Sequence, residues 1–347
     1  MHSKQMTRII MIAAPFAILL SVFLSVCYGA KQLEPEVIFS ALLHFDTGNT
    51  DHQIIWHSRL PRAVGALLIG AALAVSGALM QGVTRNYLAS PSIMGVSDGS
   101  AFVITLLMVV IPGSSSLEMM GYSFIGSAVG AGLVFGLASV IPNGFMPVQL
   151  AIIGTVTSML LSSLSAAISI YFQISQDVSF WYSARLHQLN PELLKYAVPF
   201  FVIGIILALS LSKKVTALSL GDDISESLGQ KKQAVKWTAM AAVVVLTGCS
   251  VAMAGKIAFV GLVVPHITRF LVGSDYSRLI PCSFFLGGVF FTKMVGESAV
   301  SLGKRHARRT KKKEKKAHMC SGAATTLNNG IKEPVVFSFF FTSPFLY

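Results

Sequence analysis

The sequence predicts an all-α polytopic membrane protein with about nine transmembrane helices, and three observations carry that prediction. Of its 347 residues, 53% are hydrophobic and 12% charged, and the mean hydropathy is +0.68; soluble domains carry about 25% charged residues. The apolar residues fall in runs long enough to cross a bilayer, which takes about 20 of them. No Asp, Glu, Lys or Arg falls at the centre of any such run up to residue 292. A chain of this kind belongs in the cytoplasmic membrane as a multi-pass protein, in contact with lipid. Its length leaves no room for a soluble enzyme domain beside the spans.

In chain order the runs lie near residues 9–29, 63–83, 93–111, 120–141, 148–173, 194–212, 235–254, 257–272 and 279–292. The first has a basic start, an apolar stretch and a cysteine at Cys27, which is the grammar of a signal peptide or lipoprotein leader. Its length and the many spans after it favour an uncleaved first helix. The second carries Gly65, Gly70 and Gly77, and the fourth carries Gly126, Gly130, Gly132 and Gly136. Small residues let helix backbones approach closely where lipid supplies no hydrophobic drive. The eighth run is short and holds a proline, so it reads as a broken or half-depth helix. With the N-terminus inside, ten Lys/Arg fall on cytoplasmic segments and six on the other side, which follows the positive-inside tendency.

The net charge of +12 is not a nucleic-acid signal, because residues 304–316 hold nine Lys/Arg and one Glu and so supply +8 of it. Cys27, Cys249, Cys282 and Cys320 stand far apart, with no metal-site spacing. No cofactor or metal site is read from the chain. There is no GxxxxGK[ST] loop, so any ATP hydrolysis belongs to a separate subunit. HExxH, paired intramembrane aspartates and a Ser/His constellation are also missing, which argues against an enzyme.

Three stretches carry function. In the fifth span Thr155, Ser158, Ser162, Ser165 and Ser169 follow at steps of 3, 4, 3 and 4, one face of a helix. That stripe is either an uncharged lining for a bulky solute or a packing face whose hydroxyls bond their own carbonyls. After the sixth span, Leu220, Gly221, Asp222, Asp223, Ser225, Glu226, Leu228 and Gly229 read as a short polar helix punctuated by glycines. It is either a docking surface for a cytosolic partner or a solvated loop. Arg59 and Arg62 flank Pro61 at the outer mouth of the second span, as a landing site for acidic groups or as snorkelling anchors.

RLPR, SGALMQG, RNYLASPSIMGVSDGSA, LGDDISESLGQ and GKIAFVGLVVPHITRFLVG, taken in order, resemble the landmarks of the iron-siderophore and vitamin B12 permease family of ABC importers, over residues 55–290. Tyr87 and Asp98 depart from that pattern, which has proline and a small or polar residue there. The resemblance implies ten spans, two permease subunits with the path between them, a separate ABC ATPase subunit and an external substrate-binding protein. It implies that Arg59 and Arg62 meet glutamates of the binding protein, and that Leu220 to Gly229 docks on the ATPase. It also implies that the fifth span lines the path. Pro265 and His266 match its Pro-His landmark, where His266 is given a helix-end hydrogen-bonding role.

The resemblance stops near Lys293, which divides the chain into a permease domain of residues 1–292 and a basic, low-complexity tail of residues 293–347. After nine spans that block would lie outside, against the positive-inside rule, and the last apolar stretch is too short to span. A shifted reading frame accounts for both; a lipid-binding cytosolic tail is the other account. The expected function is a permease subunit importing an iron-siderophore-type chelate. A secondary transporter or channel, or a truncated permease that no longer transports, are the alternatives.

Overall fold

The computed structural model describes residues 2–27, 33–142, 144–184, 189 and 191–298. Among them all regular structure is helical. Helix α1 (His2–Cys27) is followed by α2 (Pro35–Leu43) and α3 (Thr50–Ile54), which runs through a π turn (Ile55–Arg59) straight into α4 (Leu60–Thr84). A 3-10 turn (Pro91–Met94) precedes α5 (Val96–Val110), and α6 (Ser116–Val140), α7 (Pro147–Tyr171), α8 (Ser175–Ala184) and α9 (Pro191–Leu220) follow. The short α10 (Asp222–Ser227), α11 (Lys232–Ala254), α12 (Val260–Val272) and α13 (Tyr276–Ser298) end the described chain.

Each of the nine apolar runs has become a helix. Among the described residues seven helical stretches are long and apolar enough to cross a membrane, and α5 and α12 are shorter apolar helices. At 1.5 Å per residue those two reach only about 20 Å, short of a hydrocarbon core about 30 Å thick. The basic tail lies mostly outside the described residues, but α13 continues through Lys293 to Ser298.

Local chemistry sets the boundaries. Prolines at the first helical positions start α2 and α7, where the missing N–H costs nothing, while Pro61 follows the π turn inside the continuous Thr50–Thr84 stretch. Ser115 and Glu118 form a reciprocal capping box at the start of α6. Arg85 takes a left-handed conformation to end α4, and Gly255 ends α11 at φ 77°.

Helix α4 is the centre of the bundle. Its stretch is 83% buried, against 22% for α1 and for α7, so α4 is walled by neighbours while the other two keep open apolar faces. Gly70 meets Gly287 of α13, and Gly77 meets the backbone of Gly261 of α12. Gly126 and Gly130 of α6 meet Gly99 and Gly95 around the start of α5. Gly132 and Gly136 behave differently from the packing expectation: nothing lies within 4 Å of a Cβ placed on either. They fall on the opposite face of α6, away from the Gly126–Gly130 seam.

Candidate functional site

At one end of the bundle, Arg59 does not stand free at the start of a helix. The helix that holds it starts at Thr50, so Arg59 sits within a continuous helical stretch and is only 5% exposed. Its Nη1 donates to the carbonyl oxygens of Val26 at 2.6 Å and Cys27 at 3.1 Å. Those are orphan acceptors of the last turn of α1, and a cation there suits the helix dipole. Arg62, one turn on, is half-buried, and its Nε and Nη2 have no hydrogen-bond partner among the described residues.

The role of Arg59 as a cap has a measurable consequence. Arg59→Ala leaves two carbonyls unpaired and is expected to cost about 2 kcal/mol, the scale of hydrogen bonds to a charged donor. It should appear as a lower melting temperature of the purified chain, while Arg62→Ala leaves melting unchanged. Equal melting of Arg59→Ala and the native chain would remove the cap.

The hydroxyl stripe on α7 runs along the border between its packed and open faces. Thr155 and Ser162 are exposed, Ser158 is half-buried, and Ser165 and Ser169 are buried. Thr155, Ser165 and Ser169 donate to carbonyls of their own helix at 2.8, 2.9 and 2.9 Å. Ser158 Oγ is buried with no hydrogen-bond partner among the described residues, and the Thr155–Ser162 edge of the stripe is exposed. A hydroxyl bonded back to its helix presents a neutral oxygen and a methyl or methylene surface, polar without being adhesive.

At the opposite end, the segment after Gly221 forms the helix expected of it. Gly221 caps α10 at φ 147°, Leu228 follows its last turn, and Gly229 turns the chain at φ 72°. Two anchors hold it. Asp222 pairs with Arg85, and Lys236 Nζ lies 3.8 Å from the same carboxylate. Ser225 is fully buried and its Oγ donates to Gln230 Oε1 at 3.1 Å. Arg85, Asp222 and Lys236 border a cleft of about 500 Å³ beside the ends of α4 and α6. The outer side of the segment carries Leu220, Ile224 and Leu228, which are 65, 44 and 64% exposed, with Asp223 and Glu226 beside them. Among the described residues nothing covers this apolar ridge, which stands on a helix too polar to insert.

Pro265 is buried inside α12. His266 lies mid-helix, so the helix-end hydrogen bond expected of it is replaced by an edge-on contact with the Phe270 ring at 5.1 Å. The neighbouring Arg269 does the joining instead. It donates from Nη2 to Gln81 Oε1 at 3.0 Å and to Tyr276 Oη at 3.2 Å, and stacks on the Tyr87 ring at 4.0 Å.

Residues 17–300 match the FecCD transport family. The chain belongs to the FecCD family. It is 78% identical over 292 residues to the iron-uptake system permease protein FeuB of Bacillus subtilis (strain 168), covering 84% of this chain and 87% of that one. It is 44% identical to the iron(3+)-hydroxamate import system permease protein FhuB of the same organism, over 81% of this chain and 73% of the relative. The fold matches a solved metal-chelate type ABC transporter in an inward-facing conformation at a TM-score of 0.70 and 29% identity, over 82% of this chain and 88% of that chain. This FecCD chain is thus a multi-pass cell-membrane transport permease, a subunit of the ABC type that works with other components.

Four residues of the bundle's polar network escaped the sequence reading. Arg85 and Lys236 pair with Asp222 across 137 and 14 positions. Asp98 and Lys256 pair at 2.6 Å across 158 positions. Asp98 sits near the end of an apolar run and Lys256 between two runs, which hid their depth. The Gly99–Gly126–Gly130 contact puts Asp98 beside the middle of α6. Asp98 stands in the first turn of the short α5 and Lys256 on the loop before α12, so the pair lies inside the bundle at helix ends and not at the centre of a span.

Proposed function

We propose that this FecCD permease imports a ferric chelate, driven by a separate ABC ATPase subunit and fed by an external substrate-binding protein. The observation that carries the reading is the 78% identity, over 292 residues, with an iron-uptake permease. The anchored helix α10 with its exposed apolar ridge supports an ATPase docking there. The open edge of the α7 stripe supports a path between two permease subunits, identical or related. Of the arginines, Arg62 fits capture of a binding protein better, since Arg59 is bonded to α1.

The permease domain extends to the end of α13, and the residues beyond it are foreign to the fold. A family match that ends at residue 300 supports that boundary. Reading the other frames downstream tests the shifted-frame account, which requires a further apolar span there.

A secondary transporter gains one observation, the Asp98–Lys256 pair, since ion-coupled carriers use intramembrane ionisable groups. One experiment separates the two. The chain is reconstituted in vesicles with its neighbouring ATPase and binding protein, and uptake of a radiolabelled ferric siderophore is followed. Uptake is expected to require enclosed ATP and to stop when the ATPase's phosphate-loop Lys is replaced. Uptake driven by a proton or sodium gradient without ATP would overturn the importer. No uptake under either condition would favour a permease that has lost transport.

A further inference from the structure

The chain between α11 and α12, Gly255 to Phe259, is not helical, yet the bundle holds it at mid-height. Three contacts fix that level. Ser92 Oγ donates to Ile257 O at 3.5 Å. Gly261, two residues past Phe259, rests on Gly77 and on Leu73 O of α4. Lys256 Nζ lies 2.6 Å from Asp98 Oδ1, beside the middle of α6. Phe259 holds a left-handed backbone at φ 74°, a strain that persists only where the surroundings enforce it.

Lys256, Ala258 and Phe259 are nevertheless exposed on this loop. Irregular backbone at membrane depth is tolerated only inside protein or along a water-filled cavity. The loop's neighbour, the Pro91–Met94 turn, packs against α7, the helix with the hydroxyl stripe. The pair itself is lopsided: the Asp98 side chain is 6% exposed and that of Lys256 is 45% exposed. An ammonium carries three N–H donors, and Asp98 accepts one. The carboxylate is screened behind the loop, so the open side meets a cation.

We propose that Lys256, oriented by the buried Asp98, is a fixed cation of the translocation path that favours chelates of net negative charge. The proposal rests on the importer reading and adds the charge class of the cargo. Asp98 acts through Lys256 as a positioning residue: it holds the ammonium in one place and keeps the pair neutral when the path is empty. A carrier that had to strip an anionic chelate of water gains most from a donor already fixed at mid-depth.

The test uses the full chain with its four cysteines replaced and Ala258→Cys introduced beside the lysine. Anionic and cationic methanethiosulfonate reagents are compared. The anionic reagent is expected to react faster by about tenfold, the lower end of what a focused field does to local ion concentration. That preference should vanish in Lys256→Gln and persist in Lys256→Arg. No reaction with either reagent would mean that lipid or a second subunit covers the loop; equal rates would mean no field. Either result overturns the proposal.

Uptake of a trianionic ferric tris-catecholate by the reconstituted complex supplies the second arm. The double variant Asp98→Asn with Lys256→Gln removes both charges together, so a merely structural pair would tolerate it. It is expected to assemble, melt as the native chain does, and lose uptake at least about tenfold. Native-like uptake by the double variant overturns the cation while leaving the importer standing. Absence of uptake by the native complex overturns the importer, and the inference falls with it.

Discussion

Gly77→Ala is expected to cost the folded chain about 4 kcal/mol or more, at the diagnostic end of single substitutions. The added methyl would meet the carbonyl oxygen, carbonyl carbon and Cα of Gly261 in α12. These are backbone atoms in a helix and cannot swing aside as a side chain would. The contact is tight from the other side too, since a Cβ on Gly261 would lie 2.9 Å from Leu73 O and 3.1 Å from Pro91 Cδ. Relief would require α12 to move off α4, and that movement would also draw Arg269 away from Gln81 and Tyr276.

The same exchange at Gly132 and Gly136 supplies the control. Neither position has an atom within 4 Å of a new Cβ, so Ala there should be neutral or stabilising by about 0.5–1 kcal/mol, the helix preference for Ala over Gly. Thermal melting of the detergent-purified chain and its yield in membranes measure both. Native-like melting of Gly77→Ala would show that the α4–α12 crossing is looser than described. The contrast matters because all three glycines look alike in the sequence, and only their partners distinguish them.

That contrast marks where the sequence was legible. Apolar runs dictate helices because lipid leaves no other way to satisfy the backbone, so nine runs became nine helices. The glycines and aspartates around α10 are local punctuation, and the short helix formed between them. The shortness of the eighth run was visible for the same reason. The burial of Arg59 was not legible because hydropathy starts the second apolar run at residue 63, whereas the helix runs through the π turn from Thr50. Nothing local to Arg59 announces that its partners are carbonyls 32 and 33 positions earlier. Asp98 and Lys256 went unread as a pair for a related reason: depth is set by which helices a loop packs against, and the pair is 158 positions apart. Sequence periodicity reports the face of a helix and carries no record of such distant partners. The helix-end role given to His266 failed similarly, since α12 continues a further turn and a half beyond it.

Ile224→Asp and Leu228→Asp are expected to abolish capture of the ATPase subunit while leaving the chain folded. Both side chains are exposed, at 44 and 64%, so a carboxylate there meets solvent and should shift stability by no more than about 0.5 kcal/mol. In an interface the same carboxylate would be buried without a partner, and truncation of an interface anchor commonly costs about 2 kcal/mol or more. Two kcal/mol is roughly thirtyfold in affinity, enough to remove the ATPase in a pull-down and to lower ATP-driven uptake by more than about tenfold. Asp222→Ala acts on the other side of the helix. It releases the Arg85 and Lys236 contacts; the partly exposed Arg85 pair holds little energy, but the buried Lys236 loses its nearest carboxylate, so melting should fall modestly. What it removes is the fixed attachment of α10 to the ends of α4 and α11. The ATPase should still bind, and uptake per ATP hydrolysed should fall, because the motion of α10 is no longer delivered to the bundle. Docking and transmission thus separate by residue. If Ile224→Asp and Leu228→Asp retain full ATPase capture, the ridge is not the docking surface and the coupling role of residues 220–229 fails. If Asp222→Ala lowers capture as much as they do, the anchors only hold the helix in shape for docking, and the force must reach the path by another contact.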